Sequence, residues 1–206
     1  MSAKTHWESI YGTRSAESVS WYAPHLSASL QYIKSASPNA QAAVLDVGGG
    51  ESTLVDDLLA AGFADLTVLD ISATALEVTR RRLGPSAEQV VWQAADVLEA
   101  ELPANRFDVW HDRAVFHFMT TRDQRDRYVA QVLKALKPGG FAIVGTFGTS
   151  GPSTCSGLPV SRYAANDLHG MFGEAFRLLD SSVDMHTTPS GLPQQFVYCF
   201  CRRADR

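Results

Sequence analysis

The sequence predicts an α/β fold: a seven-stranded, mostly parallel sheet with helices on both faces and an antiparallel C-terminal hairpin. Short apolar runs alternate with helical patterns, which is typical of β-α-β units. Most of these runs are too continuously apolar to be half-exposed strands, so they belong in a buried sheet. The strand candidates are Ala43–Val47, Leu66–Asp70, Val90–Ala94, Phe107–His111, Phe141–Phe147, Phe176–Met185 and Gln195–Cys201.

Capping and stop signals place helices between these strands. Ser52, Ser72 and the capping-box sequence Thr121-Arg122-Asp123-Gln124 each precede a helical pattern. The patterns stop at Gly62, at Gly84-Pro85 and before Lys137-Pro138-Gly139-Gly140. A shorter helix is expected around Ala164–Met171, and the short turn Thr188-Pro189-Ser190-Gly191 makes the last two strands antiparallel.

Length and composition indicate a single globular domain. The chain has 206 residues, of which 45% are hydrophobic and 19% are charged, so it can bury a sizeable core. Its 18 Lys and Arg residues against 22 Asp and Glu residues give a net charge of -4. This sign disfavours nucleic acid as the main partner. The oligomeric state is left open.

Missing sequence features predict where the protein is located in the cell and whether it binds a metal. The sequence has neither a signal-peptide core nor a run approaching the ~20 apolar residues of a membrane span, so we expect a cytoplasmic protein without a membrane partner. Its three cysteines are an odd number and do not have zinc-finger spacing. Disulfides and a bound metal are therefore not expected.

A glycine-rich turn and an acidic residue point to a nucleoside ligand. Gly48, Gly49 and Gly50 follow the first strand, where glycine lets the backbone approach a ligand closely. Asp70 ends the second strand twenty residues later, where a carboxylate can accept hydrogen bonds from ribose hydroxyls. A dinucleotide such as NAD remains an alternative, although Thr53 occupies the third glycine position of that motif.

The carboxyl edge of the sheet supplies further candidates. The fourth strand delivers Trp110-His111-Asp112-Arg113-Ala114 and then Phe116-His117-Phe118-Met119 to this edge, where open α/β sheets bind ligands. The loop over residues 148–159 leaves the same edge and is a candidate lid or substrate wall.

These features resemble the class I S-adenosylmethionine-dependent methyltransferases, over nearly the whole chain and in the family's order. The resemblance rests on Asp46 before the glycines, Asp70, Ala95-Asp96-Val97 after the third strand, Lys137-Pro138-Gly139-Gly140, and the reversed terminal hairpin. It implies a Rossmann-like sheet over residues 41–206, a helical cap over residues 1–40, and S-adenosylmethionine as cofactor. The cofactor-binding residues that we expect are Asp46, Gly48, Gly49, Gly50, Asp70, Ile71, Asp96, Val97, Trp7 and Tyr11.

Two narrower resemblances disagree about the methyl acceptor. Asp112-Arg113-Ala114 resembles the thiopurine methyltransferase relatives, which favours a thiol or another soft nucleophile. His6-Trp7-Glu8-Ser9-Ile10-Tyr11 and Ser20-Trp21-Tyr22 resemble small methyltransferases related to the citrate synthase lysine methyltransferase. The Asn/Asp-Pro-Pro-aromatic motif of many nucleic-acid base methyltransferases is absent at the fourth strand, which disfavours base methylation.

We expect a small-molecule acceptor, with protein lysine methylation as the first alternative and cofactor binding without turnover as the second. A thiol is partly ionised near neutral pH, whereas a lysine must first lose a proton. Histidine titrates near neutrality and could accept that proton. The catalytic candidates are His111, His117, Asp112 and Arg113, and the substrate-contact candidates are Trp21, Tyr22 and Cys155.

Overall fold

The computed structural model describes residues 2–205 and contains the predicted seven-stranded sheet. The strand order is β3-β2-β1-β4-β5-β9-β8; β1 to β5 are parallel, and β9 runs antiparallel to both of its neighbours. The short strands β6 and β7 form a separate antiparallel pair. The strands are β1 (Ala43–Val47), β2 (Asp65–Asp70), β3 (Val90–Ala94), β4 (Phe107–Arg113), β5 (Leu136–Phe147), β6 (Thr154–Cys155), β7 (Leu158–Pro159), β8 (Phe176–Thr187) and β9 (Pro193–Arg203).

Helices cover both faces of the sheet, which confirms the predicted fold class. Buried side chains of α2, α3 and α4 pack on one face, and those of α5 and α6 pack on the other. Within residues 2–205, no helix is both long and apolar enough to cross a membrane. The helices are α1 (Ala3–Thr13), α2 (Ser27–Ala36), α3 (Leu54–Ala60), α4 (Ala73–Leu83), α5 (Arg122–Ala135) and α6 (Ala165–Gly170).

Two of the three predicted helix starts are confirmed by their capping hydrogen bonds. Ser72 Oγ accepts from the Ala75 N–H at 3.2 Å, and Thr121 forms a capping box with Gln124. The helix predicted from Ser52 begins at Leu54 instead. Ser52 Oγ accepts the Leu54 N–H at 3.1 Å, so Ser52 forms a turn ahead of the helix.

The strand predicted from Phe141 begins earlier, at Leu136, so the expected turn over residues 137–140 lies inside β5. Leu136 pairs with Phe107 of β4, and the register then shifts before Phe141 pairs with Val109. Gly139, at φ +75°, accommodates this irregularity. The glycines therefore mark a strand distortion rather than the end of the loop.

A buried hydrogen-bond network fixes the chain where it leaves β4. The Asp112 carboxylate accepts from the backbone N–H groups of Val115 at 2.8 Å and Phe116 at 2.9 Å, and from the Tyr128 hydroxyl of α5. Tyr128 in turn accepts from Trp110 Nε1 at 2.9 Å. Burial raises the pKa of Asp112 to about 6, and these donors oppose that rise.

Tyr128→Phe should destabilise the protein by about 1.5–3 kcal/mol, because it removes a donor to the buried Asp112 carboxylate. Urea unfolding measures this change. Tyr163→Phe is the matched control, since the buried Tyr163 hydroxyl has no partner among the described residues. Equal effects of the two variants would contradict the role given to Tyr128.

Candidate active site

The carboxyl ends of the parallel strands open into a cavity of about 280 Å³. The end of β1 supplies Gly48, that of β2 supplies Asp70 and that of β4 supplies Arg113, so the topology gathers residues far apart in the sequence. Other lining residues come from α1, the segment before α2, the ends of β1 and β2, the loops after β2, β3 and β4, the start of α5, and the β6–β7 hairpin: Ala3, Trp7, Tyr11, Trp21, Val47, Leu69, Ile71, Ala95, Asp96, Val97, Leu98, Ala114, Val115, Phe118, Met119, Thr120, Gln124, Cys155, Leu158 and Pro159.

The turn after β1 is packed too tightly for side chains. A Cβ atom on Gly48, which has φ +71°, would lie 2.1 Å from Val115 Cγ2. One on Gly49 would lie 2.5 Å from Val68 Cγ1, and one on Gly50 would lie 2.8 Å from Asp70 Oδ2. Glycine is therefore required at this turn by both conformation and space.

Two carboxylates line the side of the cavity formed by β2 and β3. Asp70 is 4% exposed, and its Oδ1 accepts from the Ser72 N–H at 2.8 Å. Burial raises the pKa of Asp70 to about 7; the negative charges of Asp46 and Glu8 add to the rise, and the Ser72 N–H opposes it. Asp96 Oδ1 accepts from the Leu98 N–H at 2.9 Å. Both carboxylates line the cavity, so each can accept hydrogen bonds from a bound ligand.

Four aromatic side chains, called here the aromatic wall, border the cavity: Trp7 and Tyr11 of α1, Trp21, and Phe118 after β4. The Trp7 ring lies 5.9 Å from that of Tyr11, 5.8 Å from that of Trp21 and 5.3 Å from that of Phe118. The structure thus brings three predicted aromatic residues together and adds Phe118.

A second cavity of about 40 Å³ adjoins the first and shares Tyr11, Trp21, Val47, Gly48 and Arg113 with it. It also contains two charged side chains with unsatisfied atoms. Glu51 Oε2 and Arg113 Nε are buried and have no hydrogen-bond partner among residues 2–205. Its further lining residues include the predicted Asp46, Gly49, Tyr22 and His111.

His111 has both ring nitrogens engaged. Nδ1 lies 2.7 Å from Asp46 Oδ1, and Nε2 lies 2.8 Å from Ser29 Oγ. The Ser29 hydroxyl continues the chain to the Tyr198 hydroxyl at 2.9 Å. His111 therefore borders the smaller cavity as part of a buried network joining β1, β4, α2 and β9.

Asp112 and His117 do not line either cavity, contrary to the expectation that they lie beside the acceptor. The backbone N–H groups after β4 and Tyr128 hold Asp112 on the opposite side of the strand. His117 is 0% exposed and packs against the rings of Phe118 and Phe147 at 4.5 and 4.7 Å. Burial, with the positive charge of Arg113, lowers the pKa of His117 to about 3, so its imidazole is neutral.

Arg113 and Cys155 do lie at the cavity. Arg113 does not pair with Asp112; its Nη1 donates to the Trp21 carbonyl at 3.1 Å, and its guanidinium lies 4.1 Å from the centre of the Phe196 ring. Cys155, in β6 of the predicted wall loop, is buried. Burial raises the pKa of its thiol to about 11, so the thiol is protonated near neutral pH.

Comparison with known proteins points to one family. Residues 44–140, just under half of the chain, match the family described as "Methyltransferase domain". The mouse (Mus musculus) eEF1A lysine and N-terminal methyltransferase is 26% identical over 141 residues, which are 66% of this chain and 20% of the mouse protein. The Danio rerio EEF1A lysine methyltransferase 2 is 26% identical over 121 residues, 56% of this chain and 52% of that protein.

Solved structures agree with the fold of the methyltransferase domain. One, described as showing conversion of a disulfide bond into a thioacetal group during echinomycin biosynthesis, has a TM-score of 0.78 and 22% identity, covering 98% of this chain and 94% of its own. The N-methyltransferase NodS from Bradyrhizobium japonicum WM9, in complex with S-adenosyl-L-homocysteine, has a TM-score of 0.64 and 16% identity, covering 86% of each chain. These likenesses confirm the predicted fold, and S-adenosylmethionine remains the expected cofactor.

Asp70→Ala should weaken S-adenosylhomocysteine binding about 10- to 100-fold, because hydrogen bonds to a charged group contribute ~1.5–3 kcal/mol. Isothermal titration calorimetry measures the affinity. Unchanged affinity would remove Asp70 from the site.

The same affinity should depend on pH. Asp70 of the free protein has a pKa of about 7, and its ionised form is the better acceptor of ribose hydroxyls. Protonation as the pH falls from 8 to 6 should therefore weaken binding about tenfold, and the dependence should flatten in Asp70→Asn. An equally steep profile in that variant would assign the titration to another group.

Proposed function

We propose that this chain transfers a methyl group from S-adenosylmethionine to a small-molecule acceptor, whose reacting atom is a thiol or another soft nucleophile. The observation that carries this proposal is the absence of an available base among the described residues lining the larger cavity. No histidine lines it, and its two carboxylates, Asp70 and Asp96, lie on its β2 and β3 side. An acceptor that is already partly ionised near neutral pH suits such a site.

The residues present fit the cofactor. Asp70, Ile71 and Val97 all line the larger cavity; there the Asp70 carboxylate would accept from the ribose hydroxyls, and the apolar Ile71 and Val97 would pack against the adenine. In the smaller cavity, Glu51 and Arg113 offer opposite charges, and Glu51 Oε2 and Arg113 Nε have no partner among the described residues. These charges match the ammonium and carboxylate of a methionine end, which would relieve the cost of burying them unpaired.

S-adenosylmethionine, when bound, supplies an electrophilic methyl group on a sulfonium. The aromatic wall excludes water from the space beside Arg113, and its ring faces favour a nearby cation. Holding both reactants in line there can supply several kcal/mol, within the ~7–11 ascribed to proximity. Cys155, Leu158 and Pro159 border the same space from the β6–β7 hairpin.

The histidines support the preference for a soft acceptor. A thiol has an ordinary pKa near 8.5, whereas lysine at about 10.4 needs help to lose its proton. His111 is hydrogen-bonded at both nitrogens, and His117 lies outside the cavities with a pKa of about 3. Neither is free to take a proton from an acceptor in the larger cavity. The description of one structural neighbour, which names conversion of a disulfide bond into a thioacetal group, is consistent with sulfur chemistry on this fold.

Protein lysine methylation is the second candidate because both curated relatives described above are named lysine methyltransferases. This chain spans only 20% of the mouse protein and 52% of the Danio rerio one. Cofactor binding without turnover is the third candidate. It predicts that the protein binds S-adenosylmethionine but forms no S-adenosylhomocysteine with any acceptor.

The acceptor class is tested by S-adenosylhomocysteine release. We expect the purified protein to release it with members of a panel of small thiols and chalcogen compounds, and to leave proteins of a strain lacking the enzyme unlabelled by S-[methyl-³H]adenosylmethionine. His117→Asn should keep this activity. Labelling of one protein band without turnover of any panel member would replace the proposal by lysine methylation.

The assignment of the methionine end is tested by comparing two ligands. Glu51→Gln should weaken S-adenosylhomocysteine binding by about tenfold or more, because the charge facing the ligand ammonium is lost. Binding of 5′-methylthioadenosine, which lacks the amino-acid end, should be unchanged. Glu17→Gln, in the exposed turn Ala16–Ser18, is the control for removal of an acid. Equal losses for both ligands would contradict the assignment.

A further inference from the structure

Glu8 makes a set of contacts that the proposed chemistry does not use. It lies on α1, between Trp7 and Tyr11 of the aromatic wall, but does not itself line either cavity. Its Oε1 accepts from the Ala73 N–H at 2.8 Å. Its Oε2 accepts from the Ser72 hydroxyl at 3.0 Å and from the Thr74 N–H at 3.3 Å. All three bonds join α1 to the start of α4.

The start of α4 is a favourable place for a carboxylate. The first N–H groups of a helix have no partner within the helix, and the helix dipole attracts negative charge there. Burial raises the pKa of Glu8, but the hydrogen bonds from Thr74, Ala73 and Ser72 outweigh burial and hold that pKa below its ordinary value. Glu8 is therefore charged at neutral pH, and the contact is a charge-assisted one.

Both partners of this contact lead directly to the cavity. On the α4 side, the Ser72 N–H donates to Asp70 Oδ1 at 2.8 Å, so the residue that binds Glu8 also orients the Asp70 carboxylate. On the α1 side, Trp7 and Tyr11 border the larger cavity. No residue of α1 is fully buried, so packing alone holds this helix weakly.

We propose that Glu8 is a positioning residue. Its hydrogen bonds to Ser72, Ala73 and Thr74, called here the latch, hold α1 against α4 and keep Trp7 and Tyr11 over the bound cofactor. The latch thereby sets the rate at which cofactor and product leave. The proposal rests on the proposed function only in requiring that the larger cavity binds S-adenosylmethionine and S-adenosylhomocysteine. It is independent of the acceptor. Breaking the latch frees the helix without removing any group that touches the ligand.

The dissociation rate of S-adenosylhomocysteine tests the latch. Stopped-flow displacement followed by tryptophan fluorescence compares the wild-type protein with Glu8→Gln, which loses the charge but keeps a similar shape. We expect dissociation to be about 10-fold faster or more, since charge-assisted hydrogen bonds are lost. Glu17→Gln, an exposed acid after the same helix with no partner among the described residues, should leave the rate unchanged.

Two further measurements separate the latch from a general loss of structure. Dissociation of 5′-methylthioadenosine should accelerate as well, unlike in Glu51→Gln, because the latch acts through the aromatic wall. Trypsin should cleave at Lys4 within α1 or at Arg14 directly after it faster in Glu8→Gln, while the thermal midpoint of the whole protein changes little. An unchanged dissociation rate in Glu8→Gln, or an equal change in Glu17→Gln, would overturn the latch alone. Failure of wild-type protein to bind S-adenosylhomocysteine would overturn the cofactor assignment as well.

Discussion

The turn after β1 has no space for a single Cβ atom at Gly48 or Gly49, because Val115 and Val68 already occupy it. This close approach depends on three strands ending at the same level: β1 with the turn, β2 with Asp70, and β4 with the loop that carries Val115. The Asp112 and Tyr128 network fixes that loop. A buried contact between residues far from the turn in the sequence thus helps shape the cavity.

The smaller cavity differs from the rest of the core because two charged side chains that line it have an atom without a hydrogen-bond partner among the described residues. Buried polar groups are ordinarily hydrogen-bonded, since leaving them unpaired costs free energy. Asp112 and His111 follow this rule, whereas Glu51 and Arg113, which line the smaller cavity, each keep an atom without a partner among the described residues. The amino-acid end of the proposed cofactor would give both atoms a partner. His117 is also unpartnered, but its neutral imidazole among aromatic rings needs no counter-charge.

Local sequence signals predicted the elements that depend on local interactions. The strands Ala43–Val47 and Val90–Ala94 have the predicted bounds, and Ser72 and Thr121 cap the helices as expected. The early start of β5 at Leu136 could not be predicted in this way, because it depends on pairing with Phe107 across the sheet. The hydrophobic pattern of the sequence alone determines neither the register in which strands pair nor the place where a strand is distorted.

For the candidate site too, the sequence predicted the positions that topology determines and not those that depend on packing. Gly48, Asp70, Ile71 and Asp96 lie at strand ends, and the topology alone brings them to one cavity. A strand-end position does not say which way the following chain turns, so His117 was expected at the acceptor and lies in the core instead. Phe118 was expected at this edge only as part of its segment, and the contacts of Glu8 arise only when α1 packs on α4. Glu51 was not predicted, although its position directly after the glycines could have suggested it.

A crystal structure of the complex with S-adenosylhomocysteine would show whether the ligand occupies both cavities as proposed. We expect ribose hydroxyls within hydrogen-bond distance of Asp70, the amino-acid end between Glu51 and Arg113, and α1 closed over the ligand through Glu8. A ligand whose ribose lies away from Asp70, or whose amino-acid end leaves the Glu51 and Arg113 charges unpaired, would contradict this expectation.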